Sequence, residues 1–208
     1  MSLNKLKVLR KYFDNNLAKG FIRLSSFPAA VPIFFVRKLG KGFRLYVNYR
    51  SLNAITIKNR YPLSLVKETL NLICGAVIFI KLDVVVAFYN LRMKLSKEYK
   101  IAFRLRLGLY EFLVMLFGLA NAPSSFQAFI NEVLREFLDK FCTAYMDDIL
   151  IFSRSRGKHR RHVKAVLQAL SEAGLHLDIE KCEFNVTKIA YLKIIMITDG
   201  IRMDLKKI

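Results

Sequence analysis

The chain has 208 residues, of which 54% are hydrophobic and 12% aromatic, which excludes a disordered tail and suffices for one substantial core or two small lobes. Lys and Arg number 35 against 16 Asp and Glu, and the net charge of +19 points to a polyanion such as nucleic acid rather than a small neutral substrate. Cys74, Cys142 and Cys182 are odd in number and far apart, so they read as buried thiols of a reducing intracellular compartment, with no CxxC pair for zinc.

Residues 3–18 place Leu3, Leu6, Leu9, Phe13 and Leu17 at near-helical spacing, which predicts a helix packed by one stripe and, being charged, no secretion signal. Prolines 28 and 32 precede an apolar run, predicting a strand near Pro32–Arg37, and "RKLGKGF" (37–43) makes the basic tip of a hairpin. A short helix follows, with Ser64 as cap and Leu65, Thr69, Leu70 and Ile73 inward. "AVIFIKLDVVVAF" (76–88) has the β-branched, nearly unbroken apolar pattern of a strand buried on both faces, interrupted by Asp83.

After an apolar-alternating region near Lys100–Val114, "NAPSSFQAFINEVLREFL" predicts a helix with Ser124 and Gln127 as a capping box and Phe126, Ile130, Val133 and Phe137 on one side. The uncharged run Phe112–Asn131 is too polar inside to cross a membrane. A hairpin is expected at 141–153. The next helix turns Val163, Val166, Leu167 and Leu170 inward and stops at Gly174, and strands are expected at 182–186 and 190–197. His159, His162 and His176 read as surface helix and loop residues. The sum is an α+β domain with a basic, hairpin-rich lobe ahead of it.

The hairpin "AYMDDILIFS" (144–153) puts Asp147 and Asp148 together in an apolar run. Desolvating a carboxylate costs several kcal/mol unless something positive compensates. One reading is an exposed turn, where Asp is common. The other is a divalent-cation site completed by Asp83, 64 positions upstream of Asp147, if adjacent strands of one sheet bring the acids together.

"FRLYVNYRSLNAITIKNRYPL", "KLDVVVAF", "LFGLANAPSSFQ", "YMDDILIFS" and "GLHLDIEKCEF" together resemble, in order and spacing, the reverse transcriptases of gypsy-like long-terminal-repeat retrotransposons. The resemblance runs from about Leu6 to Ile208. It implies a right-hand polymerase with residues 1–75 mainly fingers, 76–208 mainly palm with part of the fingers near 89–115, and no thumb, connection or RNase H. It implies two-metal nucleotidyl transfer from a dNTP to a primer 3′-hydroxyl, with Asp83, Asp147 and Asp148 as catalytic, metal-binding residues for two Mg²⁺ ions, or Mn²⁺. Lys38, Arg44, Phe88, Phe117, Gly118 and Gln127 fall at the dNTP site, Phe88 as the gate against a 2′-hydroxyl. Arg50 and Asn53 fall on the template strand and Tyr145 and Met146 beside the primer end. Partners implied are an RNA or DNA template with primer, and no membrane; the compartment would be cytoplasm, element particle or nucleus.

The chain departs from that family at Asn48 (usually Asp), Leu116 (Pro), Lys193 (Gly) and Leu205 (Pro), and Val86 and Tyr89 are also unusual. These departures keep a second reading open, a catalytically inactive, basic nucleic-acid-binding remnant of a retrotransposon. RNA-directed RNA polymerases share the acidic hairpin but usually carry Gly before the Asp pair.

Overall fold

The apolar periodicities along the chain give, in order, α1 (Leu3–Ala18), β1 (Ile22–Leu24), β2 (Val31–Lys38), β3 (Gly42–Val47), α2 (Arg50–Ile55), α3 (Val66–Ile73), β4 (Ile78–Asp83), β5 (Phe103–Leu105), β6 (Gly108–Phe112), α4 (Ala122–Val133), β7 (Cys142–Tyr145), β8 (Asp148–Ser153), α5 (Arg156–Glu172), β9 (Glu183–Val186), β10 (Lys188–Tyr191), β11 (Ile194–Ile197) and β12 (Gly200–Met203). Short 3₁₀ turns lie at Ala87–Asn90 and Glu98–Ile101. This computed structural model describes residues 3–38, 42–62, 66–85, 87–106, 108–192, 194–197 and 200–203; side chains at 3–5, 38, 42, 44, 66, 67 and 200–203 lie outside the description. Ser64, Leu65, Val86, Lys193 and Leu205 are therefore outside the described residues.

The chain divides into two units, Met1–Lys58 with Phe88–Ala122, and Asn59–Ala87 with Pro123–Ile208. The first holds a five-stranded sheet in the order β1-β6-β5-β2-β3, antiparallel except where β2 runs parallel to β5. Its core gathers Phe13, Ile22, Tyr49, Ile101, Phe103, Phe112 and Leu116. On α1 the stripe rotates from the expected one: Leu9 and Phe13 are buried, Leu17 is 41% exposed, and Asn16 turns inward. Asn16 tolerates burial because its amide donates to the Tyr12 carbonyl at 2.7 Å.

The second unit is built on the antiparallel sheet β7-β8-β4-β9, with a three-stranded sheet β10-β11-β12. Alternation along β4 sends Ile78, Ile80 and Leu82 to one face and Phe79, Lys81 and Asp83 to the other. β8 continues the pattern, because Ile149, Ile151 and Ser153 pair opposite the first set and Asp148, Leu150 and Phe152 opposite the second. Ile149, Leu150 and Ile151 are wholly buried, so a one-residue slip of β8 would move charge into the core. This fixes where the acids point.

Several elements differ from expectation for identifiable reasons. β4 ends at Asp83 rather than running to residue 88, because its partner β8 begins at Asp148 and pairing runs out there. α4 stops at Val133, after which turns with mixed i→i−3 and i→i−4 bonds lead to Leu138, which bridges to Cys142 at the start of β7. The capping box is not formed: Ser124 donates to the Asn59 carbonyl, and Gln127 is wholly buried and bonded elsewhere. The strand expected at 190–197 belongs to a hairpin, β10 ending at Tyr191 with Leu192 at φ +49. Cys142 is buried as expected, and burial pushes its thiol pKa up, but Cys74 is exposed and Cys182 half-buried.

His159 is also buried, against its expected surface place, because β8 presents Ser153 beneath α5: the Ser153 hydroxyl meets His159 Nδ1 at 2.9 Å and His162 Nδ1 at 2.8 Å. α5 itself begins on a Ser155 cap and ends as expected at Gly174, whose φ of +70 favours residues without a Cβ. No heavy atom lies within 4 Å of a Cβ placed there, so Gly174→Ala should cost only the backbone strain, about 1 kcal/mol in a denaturant titration.

Candidate active site

Asp83 and Asp148 face each other as register partners at the end of the β4–β8 ladder, with Asp147 in the turn that joins β7 to β8. The turn is pinned to β4, because the Val84 amide donates to the Asp147 carbonyl at 3.0 Å. Met146, just before the acids, holds φ +52, a left-handed backbone that costs a non-glycine residue about 1–3 kcal/mol. Gln127 on α4 secures it: its Oε1 accepts from the Met146 amide at 2.8 Å while its Nε2 donates to the Ala144 carbonyl at 3.0 Å and to Asn131 Oδ1 at 2.8 Å. Asn131 in turn donates to the Tyr61 hydroxyl at 3.1 Å. The buried amide therefore sets the position of the acidic turn.

The charges are partly balanced from within the chain. Lys181 lies 3.0 Å from Asp83 Oδ1 and 2.9 Å from Asp178 Oδ2, and Lys81 lies 3.2 Å from Asp148 Oδ2. The hydrogen bonds to Asp178 and then Asp83 push the Lys181 pKa upward. Asp147 has no such partner: its Oδ1 is buried and unpaired among the described residues. Burial first, then the negative charges of Asp83 and Asp148, raise its carboxyl above the usual range, against the opposing pull of Lys181.

Among the described residues no three His, Cys, Asp or Glu side chains are gathered as a ready-made metal cage. The donor set is nonetheless one that hard divalent cations take: three carboxylates at one strand end, one with a buried oxygen lacking any donor. A dication there would offset the mutual repulsion that raises Asp147, with Lys181 and Lys81 as the groups that must yield their contacts.

Residues 36–196 match the family model for reverse transcriptase (RNA-dependent DNA polymerase). The chain belongs to the reverse transcriptase family. The polyproteins of transposons Tf2-3 and Tf2-7 of Schizosaccharomyces pombe (strain 972 / ATCC 24843) are each 39% identical to this chain over 188 residues, 90% of this chain and 14% of theirs. The chain thus spans a small part of the length of the curated relatives it matches, and these relatives agree with the retrotransposon lineage that its sequence blocks resemble. The foamy viral protease-reverse transcriptase in complex with RNA/DNA hybrid superposes with a TM-score of 0.88 over 99% of this chain and 28% of that one, at 17% identity. Its dRH form in complex with double-stranded DNA gives 0.85 over 95% and 35%, at 18% identity. The fold is the α+β polymerase fingers and palm.

The remaining expected positions of this chain lie in several places. Tyr145 pairs with Asp148 across β7–β8, which puts it on the acidic face of the sheet, and Met146 is half-buried in the turn. In the first unit, Phe88 is 7% exposed and meets the 67%-exposed Phe117 ring edge-on at 5.7 Å. Gly118 holds φ +99. Arg50 is exposed at the start of α2, where its Nε donates to Asn48 Oδ1 at 3.0 Å. The side chains of Lys38 and Arg44 lie outside the described residues.

Asn53 spends both side-chain atoms on the chain itself: Nδ2 donates to the Gly118 carbonyl at 2.7 Å and Oδ1 accepts from the Ala120 amide at 2.8 Å. It clamps the "FGLA" loop. Asn53→Ala should cost about 1–2 kcal/mol and speed hydrogen exchange at the Ala120 amide, with little change at the acidic turn. The sequence alone does not assign Lys181, Asn131 or the bonding of Gln127 to these roles. A cation inside the "GLHLDIEKCEF" block was the available signal for Lys181.

Proposed function

We propose that this chain is the polymerase portion of a retrotransposon reverse transcriptase, copying an RNA template by joining a deoxynucleotide to a primer 3′-hydroxyl. The 3′-oxygen bonds the α-phosphorus as the bond to pyrophosphate breaks, and the proton of the hydroxyl leaves to solvent. The observation that carries the reading is the in-register pairing of Asp83 with Asp148 beside the unpaired, buried oxygen of Asp147. In this reading the three acids would hold two Mg²⁺ ions, or Mn²⁺, which when bound lower the pKa of the attacking hydroxyl and offset charge on the leaving group.

The chain's own groups do the positioning. Gln127 keeps the strained Met146 turn in place, so the Asp147 carboxylate needs no reorganisation when substrate arrives. Tyr145 borders the acids where the primer end would lie. Phe88 supplies bulk under the sugar of the dNTP and Lys38 and Arg44 charge for its phosphates, while Phe117 and Gly118 line the site and Arg50 follows the template. The fingers comprise mainly residues 1–75 with part of 89–115, and the palm mainly 76–208. Net charge of +19 makes primer-template binding largely sequence-independent and strongly weakened by salt.

A second reading, a nucleic-acid-binding remnant without chemistry, draws on one observation: Lys181 and Lys81 already neutralise two of the three acids. Extension of a labelled DNA primer on an RNA template, with Mg²⁺ or Mn²⁺, separates the two. Addition of at least one nucleotide, absent in Asp147→Asn, supports the polymerase. Binding of primer-template with no addition sinks it and leaves the remnant.

A further inference from the structure

At the opposite end of the second unit's main sheet from the acids, α5, β4 and β9 enclose a groove of 990 Å³. Its apolar lining comprises Ile78 and Ile80 from β4, Val163 and Leu167 from α5, and Phe184 from β9, the last 43% exposed. Along its rim run Arg156, Arg160 and Lys164, all exposed and at successive i, i+4 positions of α5. Among the described residues none of the three makes an ion pair and no acidic residue lines the groove. His159 also lines it; its Nδ1 is held by Ser153, while its Nε2 is buried and has no partner among the described residues.

We propose that this groove is a docking site for an amphipathic helical segment of another protein, one that carries acidic residues along one edge and apolar residues beside them. The lining decides between the two polyanions a basic rail could bind. A phosphate backbone would gain the three cations but leave the Ile, Val, Leu and Phe lining without use, whereas an amphipathic helix covers both. The cations repeat about every 6 Å along α5, the pitch at which a helix laid alongside presents acids at i, i+4 and i+8.

The site does not depend on the polymerase reading. Ile80, the lining residue nearest the acids along β4, lies three positions from Asp83, about 10 Å, and faces the other side of the sheet, while the charged rail is on α5, so rail and acids can be altered separately.

The test uses the whole chain and a fluorescent helical peptide about 18 residues long, with a Leu stripe and Glu at i, i+4 and i+8, against a scrambled peptide of equal composition. Anisotropy titration is expected to show the patterned peptide binding at least ~10-fold more tightly than the scramble, more weakly in high salt. Arg160→Glu with Lys164→Glu should lose at least ~10-fold without lowering the melting midpoint, and a peptide with Lys in place of Glu should recover that loss. Phe184→Ser, at an exposed position, should weaken binding with the rail intact.

Equal binding of the scramble, or unchanged peptide affinity in the double variant, overturns the proposal. So does a double variant that keeps its peptide affinity but loses affinity for a short single-stranded oligonucleotide, since the rail would then be a nucleic-acid surface.

Discussion

Asp147→Asn should abolish nucleotide addition, by about a thousandfold or more, while raising the melting midpoint of the metal-free protein at neutral pH. Both effects have one origin. The Asp147 carboxylate is half-buried, faces two like charges and has one oxygen without a donor, so the ionised group is costly until a cation compensates it. Its carboxyl pKa is raised in the folded chain above the unfolded value of about 4. Below that unfolded value both states hold the proton, and Asp147 costs nothing. As pH rises from there through the folded-state pKa, the unfolded chain releases its proton first and stability falls, reaching its full penalty above the folded value. Melting midpoints of wild type and Asp147→Asn should therefore coincide near pH 3 and separate as pH rises, with the variant higher. Saturating Mg²⁺ should narrow the gap by stabilising the wild type alone.

Gln127→Leu should have the largest effect on stability of any substitution outside the apolar core. It keeps the volume but removes the partners of the Met146 amide, the Ala144 carbonyl and Asn131, at a position with no solvent exposure. Leaving such groups unpaired costs about 2–5 kcal/mol. For a chain of this size that is a fall of roughly 5–15 °C in a thermal melt. The Met146 turn loses its support at the same time, so hydrogen exchange at residues 144–147 should quicken more than in the rest of β7 and β8. Asn131→Ala, which removes only the outer member of this chain of bonds, should cost about 1 kcal/mol.

Local pattern was enough where one element's residues decide its state. The stripe Val166–Leu170 with Gly174 reads as α5 without any partner, and the apolar run broken by a paired Asp reads as the β7–β8 hairpin. The apolar run at 78–82 also carries the information that places Asp83 in the same sheet, because a strand buried on both faces must be internal. What was not legible depends on partners far along the chain. Gln127 fits a capping box by spacing, yet the position is claimed by β7 and the turn after it, which offer a carbonyl and an amide 17 and 19 residues on. His159 looks like any polar helix residue until Ser153 is known to sit beneath it. β4 could be read past Asp83 because Val84 and Val85 are as apolar as what precedes them, and only the start of β8 shows where the ladder ends. Lys181 is 98 residues from Asp83, so its pairing with an acid of that strand has no local signature.

The departures from the family pattern separate along the same line. Leu116 is buried with Phe13, Phe103 and Phe112, so the residue that replaces proline is used as core. Asn48 retains a contact to Arg50 through its carbonyl oxygen. Tyr89 shares a hydrogen bond with Tyr12 at 3.1 Å, tying the chain after Phe88 to α1.

The most direct test of the acidic centre is a Mn²⁺ titration of the whole chain, read by electron paramagnetic resonance of free ion, with Mg²⁺ as competitor. If Asp83, Asp147 and Asp148 form one divalent-cation site, wild type binds Mn²⁺ competitively with Mg²⁺, and Asp83→Asn and Asp147→Asn each weaken binding at least ~10-fold. Equal Mn²⁺ affinity in wild type and both variants would contradict it.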